Sequence, residues 1–383
     1  MAEKCAVVGV GQTKHDTQRD LSIPGLVREA ALRALDEANM TWSDIDAVVI
    51  GKAPDTFEGI MMPELYLADA LGAAGKPMFR VHTAGSVGGS TAIVAANFIR
   101  SGVHEKVLTV TFEKQSESNA MWALSPRMPF SPAQVAGAGG FFAPFIRQYM
   151  QRTQAPEDIG IKAALKDTLN GLKNPYAHKQ MEVTYDEVAD SPMLWDPIRF
   201  LETCPSSDGA AAMVLTSAKY ADASDVAPAW VHGMAWRSEP TLLARQDKVN
   251  PLAGRQCAKD VYAQAGIDNP RRDIDVAEVY VPFSWFEPKW MENLYFADEG
   301  MGWKMTDEGA TAIDGDMPIN PSGGVICSNP IGASGMLRFL EAAMQVRNQA
   351  GEHQIDGAST ALGHAYGGGS QFFAMWVVKS EKP

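Results

Sequence analysis

The chain has 383 residues, 46% of them hydrophobic and 21% charged, the composition of a globular protein with a large core. Its formal net charge of −13 argues against a polyanion-binding groove and against nucleic acid as a partner. The longest apolar runs, such as Ala47 to Ile50 and Phe372 to Val378, are strand-length, so no membrane span is expected. No apolar leader follows Met1, and Cys5, Cys204, Cys257 and Cys327 form no CxxC pair. They read as reduced thiols of a cytoplasmic protein, with neither a disulfide frame nor a metal site.

A strand is predicted over Cys5 to Val10. A helix follows from about Ile23 to Asn39, with Leu26, Ala30, Leu35 and Ala38 at near-helical spacing. Asp44-Ile45-Asp46 leads into a strand, Ala47 to Gly51. The Gly-rich turn Ala84 to Ser90 opens an apolar helix, Thr91 to Arg100, and a strand follows at Val107 to Phe112. From Ser118 to Leu194 the composition shifts to Met, Pro, Gln and aromatic residues, with one clear helix near Pro156 to Leu169. An insertion of this kind reads as a lid or ligand-binding subdomain.

The first grammar then returns. Strand-like Ala229 to Met234 precedes a helix from Gly254 to Ala265, and Asp273-Ile274-Asp275 leads into Val276 to Val281. The Gly-rich stretch Ser322 to Gly335 opens a helix from Gly335 to Val346, which is matched to the strand Ala374 to Val378. Two halves with one order of elements read as a duplication, and their alternation of strands and helices gives an α/β fold. The expected division is 1–117 with 195–225 for the first half, 118–194 for the insertion, and 226–383 for the second half.

Stretches from end to end of the chain resemble one family. Glu202-Thr203-Cys204-Pro205-Ser206-Ser207-Asp208-Gly209-Ala210-Ala211-Ala212 resembles the segment closing the first half of thiolases of the sterol-carrier-protein-x type. Gly88-Gly89-Ser90-Thr91-Ala92 and Thr111-Phe112-Glu113-Lys114 match the same group. Asn329-Pro330-Ile331-Gly332-Ala333-Ser334-Gly335 resembles its His-Pro-x-Gly-Ala-x-Gly loop, and His364 with Gly367-Gly368-Gly369 its terminal Gly-rich loop. The resemblance implies the duplicated five-layered αβαβα thiolase fold, an acyl-coenzyme A thioester as ligand, and a homodimer.

The departures from the family bear on chemistry. A thiolase attacks with a Cys thiolate at a helix N-terminus, where the helix dipole lowers the thiol pKa. Ser86 stands at that position, and a hydroxyl needs a strong base beside it to serve as a comparable nucleophile. Ser86 is read as a helix cap and oxyanion donor. Ala365 replaces the second Cys, Asn329 the His of the His-Pro loop, and Tyr280 the Asn or His after the second-half strand. Tyr366 stands beside Ala365. Cys327 is read as packing, and Asp208 and Glu278 as structural hydrogen-bond partners. The aromatic run Trp285 to Phe296 is open between core and contact surface.

Oxyanion donors with two phenols suit a retro-aldol cleavage, which needs an enolate held and a proton moved but no covalent acyl-enzyme. This pattern resembles the Cys-less thiolase-like aldolases of steroid side-chain degradation. That resemblance implies cleavage of a 17-hydroxy steroid C22-acyl-CoA to a 17-keto steroid and propanoyl-CoA, with a small zinc-ribbon/OB-fold partner and no cofactor beyond coenzyme A in the substrate. It places Tyr280, Tyr366, His364 and Asn329 as catalytic groups, with Ser86, Gly367 and Gly368 at the substrate or oxyanion. His364 is open between a site role and a structural hydrogen bond. The rival readings are acyl transfer through Ser86 and a non-catalytic thiolase-like scaffold.

Overall fold

Side chains on the strands of the first half alternate between two apolar environments. Ala6 and Val8 face one core while Cys5 and Val7 face another, and Val48 and Ile50 are split from Ala47 and Val49 in the same way. Successive Cβ atoms point to opposite faces, so a sheet built from such strands is covered on both sides. A computed structural model describes residues 2–17, 19–53, 62–117, 119, 137–240 and 245–383.

The strands are β1 (Cys5–Gln12), β2 (Ala47–Lys52), β3 (Met78–Val81), β4 (Lys106–Lys114), β5 (Met193–Trp195), β6 (Ile198–Arg199), β7 (Asp208–Ser217), β8 (Ala229–Ser238), β9 (Val276–Glu278), β10 (Thr360–Gly367) and β11 (Phe372–Lys379). Nine of them form one sheet in the order β3-β2-β4-β7-β1-β8-β11-β10-β9, and β5 pairs with β6.

That order reads alike outward from the β1–β8 seam. In one direction β1–β7 and β7–β4 are antiparallel, then β4–β2 and β2–β3 parallel. In the other, β8–β11 and β11–β10 are antiparallel, then β10–β9 is parallel, and a parallel bridge joins Ala277 to Ile319. The seam itself is two residue pairs, Ala6 with Trp230 and Val7 with Ala229. The counterpart of β4 is thus β10, and β11 matches β7, which corrects the pairing of Val107–Phe112 with Ala374–Val378. β10 escaped because its sequence, TALGHAYG, breaks an apolar pattern with Gly and His, although every residue of it is buried.

The helices that shape the site are α1 (Ile23–Glu37), α2 (Val87–Arg100), α3 (Gly137–Thr153), α4 (Ile159–Gly171), α5 (Leu252–Ala265), α6 (Phe286–Asn293) and α7 (Ile331–Val346). α1 packs on β1, β7 and β4, and α5 on β8 and β11. α2 and α7 pack on each other and each touches strands of both halves, so they lie between the two half-sheets. The layers are therefore α1, the first half-sheet, α2 with α7, the second half-sheet and α5, an αβαβα arrangement. Among the described residues no helix is long and apolar enough to cross a membrane. Of the inserted segment, residues 118 and 120–136 lie outside the described residues; α3 and α4 form much of the remainder.

Both central helices begin earlier than the Gly-rich turns suggest, at Val87 and Ile331. The glycines lie inside the helices because the helices touch there. A Cβ on Gly88 would sit 2.3 Å from the Met336 nitrogen, and one on Gly335 2.9 Å from the Gly89 nitrogen. Such contacts meet backbone, which has no rotamer through which to yield. Gly88→Ala is expected to destabilise the protein by about 3 kcal/mol or more in chemical denaturation. Gly25→Ala in α1, where the nearest atom would be 3.4 Å away, is expected to be neutral or stabilising by up to ~1 kcal/mol. Equal effects at the two positions would refute the close crossing.

Candidate active site

The chain leaves β9 at Glu278 and runs on through Tyr280, whose backbone is held on both sides. Its N–H donates to His364 Nδ1 at 3.3 Å, and its carbonyl accepts from Trp290 Nε1 at 2.8 Å. β10 alternates, so His364 and Tyr366 share the face toward Tyr280 and α6 while Ala365 points to the helix crossing. The Ala365 Cβ lies 2.8 Å and 2.9 Å from where Cβ atoms of Gly89 and Gly335 would be. The Tyr280 and Tyr366 rings meet edge to face, with centroids 5.3 Å apart and planes at 84°.

Asn329, just before α7, joins this pair to the ETCPSS segment. Its Oδ1 accepts from Ser334 Oγ at 2.8 Å and lies 3.5 Å from the Tyr280 hydroxyl, at the outer limit of a hydrogen bond. Its Nδ2 donates to Cys204 Sγ at 3.1 Å, and its N–H donates to Ser207 Oγ at 3.1 Å. Cys204 is therefore part of the site, a residue the sequence reading left as an ordinary thiol. Its place inside the Glu202–Ala212 match was the available signal.

Ser86 stands at the N-cap position of α2 but does not cap it. Its hydroxyl donates to the Thr83 carbonyl at 2.8 Å and lies 3.0 Å from Thr83 Oγ1, and no side-chain bond closes the helix end. The N-cap dihedrals explain this: at φ −80° and ψ 0° the residue is already helical rather than extended, so the side chain turns back. Gly367 lies directly against this helix start. A Cβ there would sit 2.4 Å from the amide nitrogens of both Gly85 and Ser86, so only glycine fits against them. Gly368, with φ +65°, makes the turn out of β10 and faces the Phe372 ring instead of α2.

Burial keeps the site's titratable groups neutral. Tyr280 is raised above the usual tyrosine value by burial and then by neighbouring Cys204, and Tyr366 by burial and then by Tyr280 and Cys204. Burial pushes the Cys204 thiol up to about 11, with the Lys179 ammonium pulling the other way. It pushes His364 down to about 3. Because His364 Nδ1 accepts the Tyr280 N–H, the proton of the neutral ring sits on Nε2, which has no partner among the described residues. His364 is thus placed to hold the Tyr280 backbone.

The wall behind Tyr366 is aromatic. Phe286 and Trp290 of α6 have centroids 5.4 Å and 5.2 Å from its ring, and Phe142 of α3 lies 6.2 Å away. Trp285, Phe286, Trp290 and Phe296 are all buried, so the aromatic run is core. Cys327 is also buried, its thiol against the Asp167 carbonyl at 3.2 Å, a packing position. Asp208 accepts from Ser116 N–H and hydroxyl and from Arg19 N–H, and Glu278 accepts from Ser322 and pairs with Arg338. Both carboxylates are structural partners. Among the described residues no group of three or more His, Cys, Asp or Glu is arranged to hold a metal ion.

Residues 237–380 match the thiolase C-terminal domain-like family. The chain is 30% identical over 372 residues to an acetyl-CoA acetyltransferase of Methanothermobacter thermautotrophicus, covering 95% of this chain and 96% of that one. It is 29% identical over 391 residues to sterol carrier protein 2 of Bos taurus, covering 94% of this chain and 69% of the relative. Among solved structures, the Ltp2–ChsH2(DUF35) aldolase superposes with a TM-score of 0.85, covering 100% of this chain and 99% of that chain at 24% identity, a likeness of fold. The chain belongs to the thiolase superfamily, among its sterol-carrier-protein-2-type thiolase-like proteins.

Proposed function

We propose that this acyl-CoA enzyme of the thiolase superfamily carries out retro-aldol cleavage of a β-hydroxyacyl-CoA. We assign as substrate a 17-hydroxy steroid C22-CoA, cleaved to a 17-keto steroid and propanoyl-CoA. The observation that carries the reading is the pair of buried phenols, Tyr280 and Tyr366, with ring centroids 5.3 Å apart beside the helix start at Gly85 and Ser86. The thioester oxygen is held by the amides there. The β-hydroxyl proton passes to a phenol oxygen as that phenol's own proton is handed on toward Cα, and the Cα–Cβ bonding pair moves into the thioester as its enolate before Cα takes up the relayed proton. One proton leaves oxygen and one arrives at carbon, so the site gains and loses no charge. Neutral groups suffice, and Asn329 orients Tyr280 while His364 fixes its backbone.

The name of the Ltp2–ChsH2(DUF35) aldolase pairs two components, which supports a heteromeric complex; we take the partner to be a small zinc-ribbon/OB-fold protein beside a homodimer of this chain, in the cytoplasm. Acyl transfer through Ser86 has the acetyltransferase relative in its favour, but the Ser86 hydroxyl is engaged by the Thr83 carbonyl, which cannot take its proton.

Two outcomes are expected. Tyr280→Phe and Tyr366→Phe lower kcat for cleavage by 100-fold or more, the range of general acid–base contributions, whereas Ser86→Ala retains activity within about tenfold. Mass spectrometry that traps an acyl group on Ser86 would replace this reading with acyl transfer. Second, kcat at saturating substrate stays within about twofold from pH 6 to 9, because neither phenol, nor Cys204 near 11, nor His364 near 3 titrates there. Below that window the loss is of fold. His15 and His364 are both pushed from 6.5 down to about 3, so the stability they support is present above 6.5 and drains as pH falls toward 3. A kinetic limb near pH 6.5 in folded protein would show an imidazole acting as the base.

A further inference from the structure

Lys289 of α6 is 1% exposed, and its amine has no hydrogen-bond partner among the described residues. The Nζ lies over two rings of the wall behind Tyr366, 4.2 Å from the Phe286 centroid and 5.3 Å from that of Trp290. Rings attract a cation but leave its protons without oxygen acceptors, so charging such an amine is costly. Burial brings it down to about 7, and the nearby Lys248 ammonium adds to the effect. Lys248 flanks the same wall, its Nζ 6.0 Å from the Phe141 centroid and donating to the Gly369 carbonyl. Burial brings this second amine down to about 8.

The carboxylates that face the pair are engaged by other groups. Asp247 accepts from Arg152 Nη1 at 2.7 Å and from the N–H groups of Val249 and Asn250. Glu292 accepts from the Tyr149 hydroxyl at 2.8 Å and the Gly302 N–H at 3.1 Å, and Glu239 from the Ala253 N–H at 2.6 Å. Two amines thus face one wall, Lys248 lowering the affinity of Lys289 for a proton, with no carboxylate dedicated to either. The rings between them run on to the reacting end: Phe141 is 5.1 Å from Phe142, Phe142 is 5.1 Å from Phe286, and both Phe142 and Phe286 pack on Tyr366.

We propose that Lys289 and Lys248 form an anion subsite at the remote end of the acyl group, and that among steroid C22-CoA thioesters those whose ring system carries a carboxylate there are preferred. This rests on the acyl-CoA reading above. A methyl-ended chain leaves Lys289 unpaired. A ketone or hydroxyl accepts one bond but leaves the mutual repulsion of the ammonium groups in place. A carboxylate neutralises both in surroundings that strengthen an ion pair. Binding then returns the amines toward their ordinary 10.5, so it takes up protons above pH 7.

The test is calorimetric binding of matched saturated acyl-CoAs ending in methyl or in carboxylate, such as hexanoyl- and hexanedioyl-CoA and their decanoyl counterparts. At its best length the carboxylate series is expected to bind at least tenfold tighter at pH 6.5, with the preference shrinking by pH 9 and with proton uptake at pH 8. Lys289→Met should remove the preference while leaving methyl-ended affinity within about twofold, which also reports that the variant folds. Lys248→Met should reduce it by a smaller factor. Equal affinities at every length, or a preference that survives Lys289→Met, overturn the subsite while leaving the acyl-CoA reading intact. Binding of neither series by the wild-type chain overturns both.

Discussion

α2 and α7 approach each other backbone to backbone at Gly88, Gly89 and Gly335, and this contact fixes where everything else at the site can be. Each helix begins at a loop that holds candidate site residues, Ser86 for one and Asn329-Pro330 for the other. Because the two crossing points lie within the first two turns, the two helix starts are brought into one place. The strands follow: β10 sets Ala365 into the crossing, and its alternation then turns His364 and Tyr366 to the opposite face, toward Tyr280. A side chain larger than glycine at the crossing would separate two loops from different halves of the chain. The site thus depends on a contact made by atoms that take no part in its chemistry.

The buried charges of the protein pair with one another around that contact. α7 carries Arg338 and Glu341 into the core, where Arg338 pairs with Glu278, and Glu341 is met by His353 and Gln12. Lys166 and Glu287 join α4 to α6, and Lys52 and Glu113 form a pair with both side chains fully buried. Buried pairs add little net stability against apolar replacements, yet losing one partner is severe because the other charge remains. They hold element to element. Tyr280, Tyr366, Cys204 and His364 stand among them, and burial selects the neutral form of each.

Much of this was legible in the sequence. The repeated strand–helix–Asp-Ile-Asp grammar gave the duplication, and the motif matches gave the fold and the positions of Ser86, Tyr280, Asn329 and Tyr366. What local pattern could not show was the reason for a glycine. Gly88, Gly89 and Gly332 read as turn residues because glycine is poor in an isolated helix, whereas here close packing outweighs propensity. β10 was hidden for a related reason: it is buried along its whole length yet built partly of small residues, and its Gly363 leaves room for the Trp376 and Phe339 rings. Cys204 was visible as a letter, but its contact with Asn329 spans 125 positions. Lys289 lies in an aromatic run whose burial the sequence left open, so nothing marked its amine as unpaired.

The four replaced family positions are consistent with one another once the charges are counted. A cysteine nucleophile works as a thiolate, so its site must stabilise an anion at rest and provide a route for the displaced proton. Taking away the thiol at Ser86 removes the need for both. Ala365 then has no proton to carry, and it fills the helix crossing as a methyl group. Asn329 offers an amide that both donates and accepts without titrating, which suits a position between the Cys204 thiol and the Tyr280 phenol. Two phenols, held protonated by the same burial that would penalise a thiolate, remain beside the donors at Gly85 and Ser86. A neutral pocket of this kind disfavours a reaction that begins with a charged nucleophile. It favours one in which a proton crosses from oxygen to carbon and the only transient negative charge rests on the thioester oxygen.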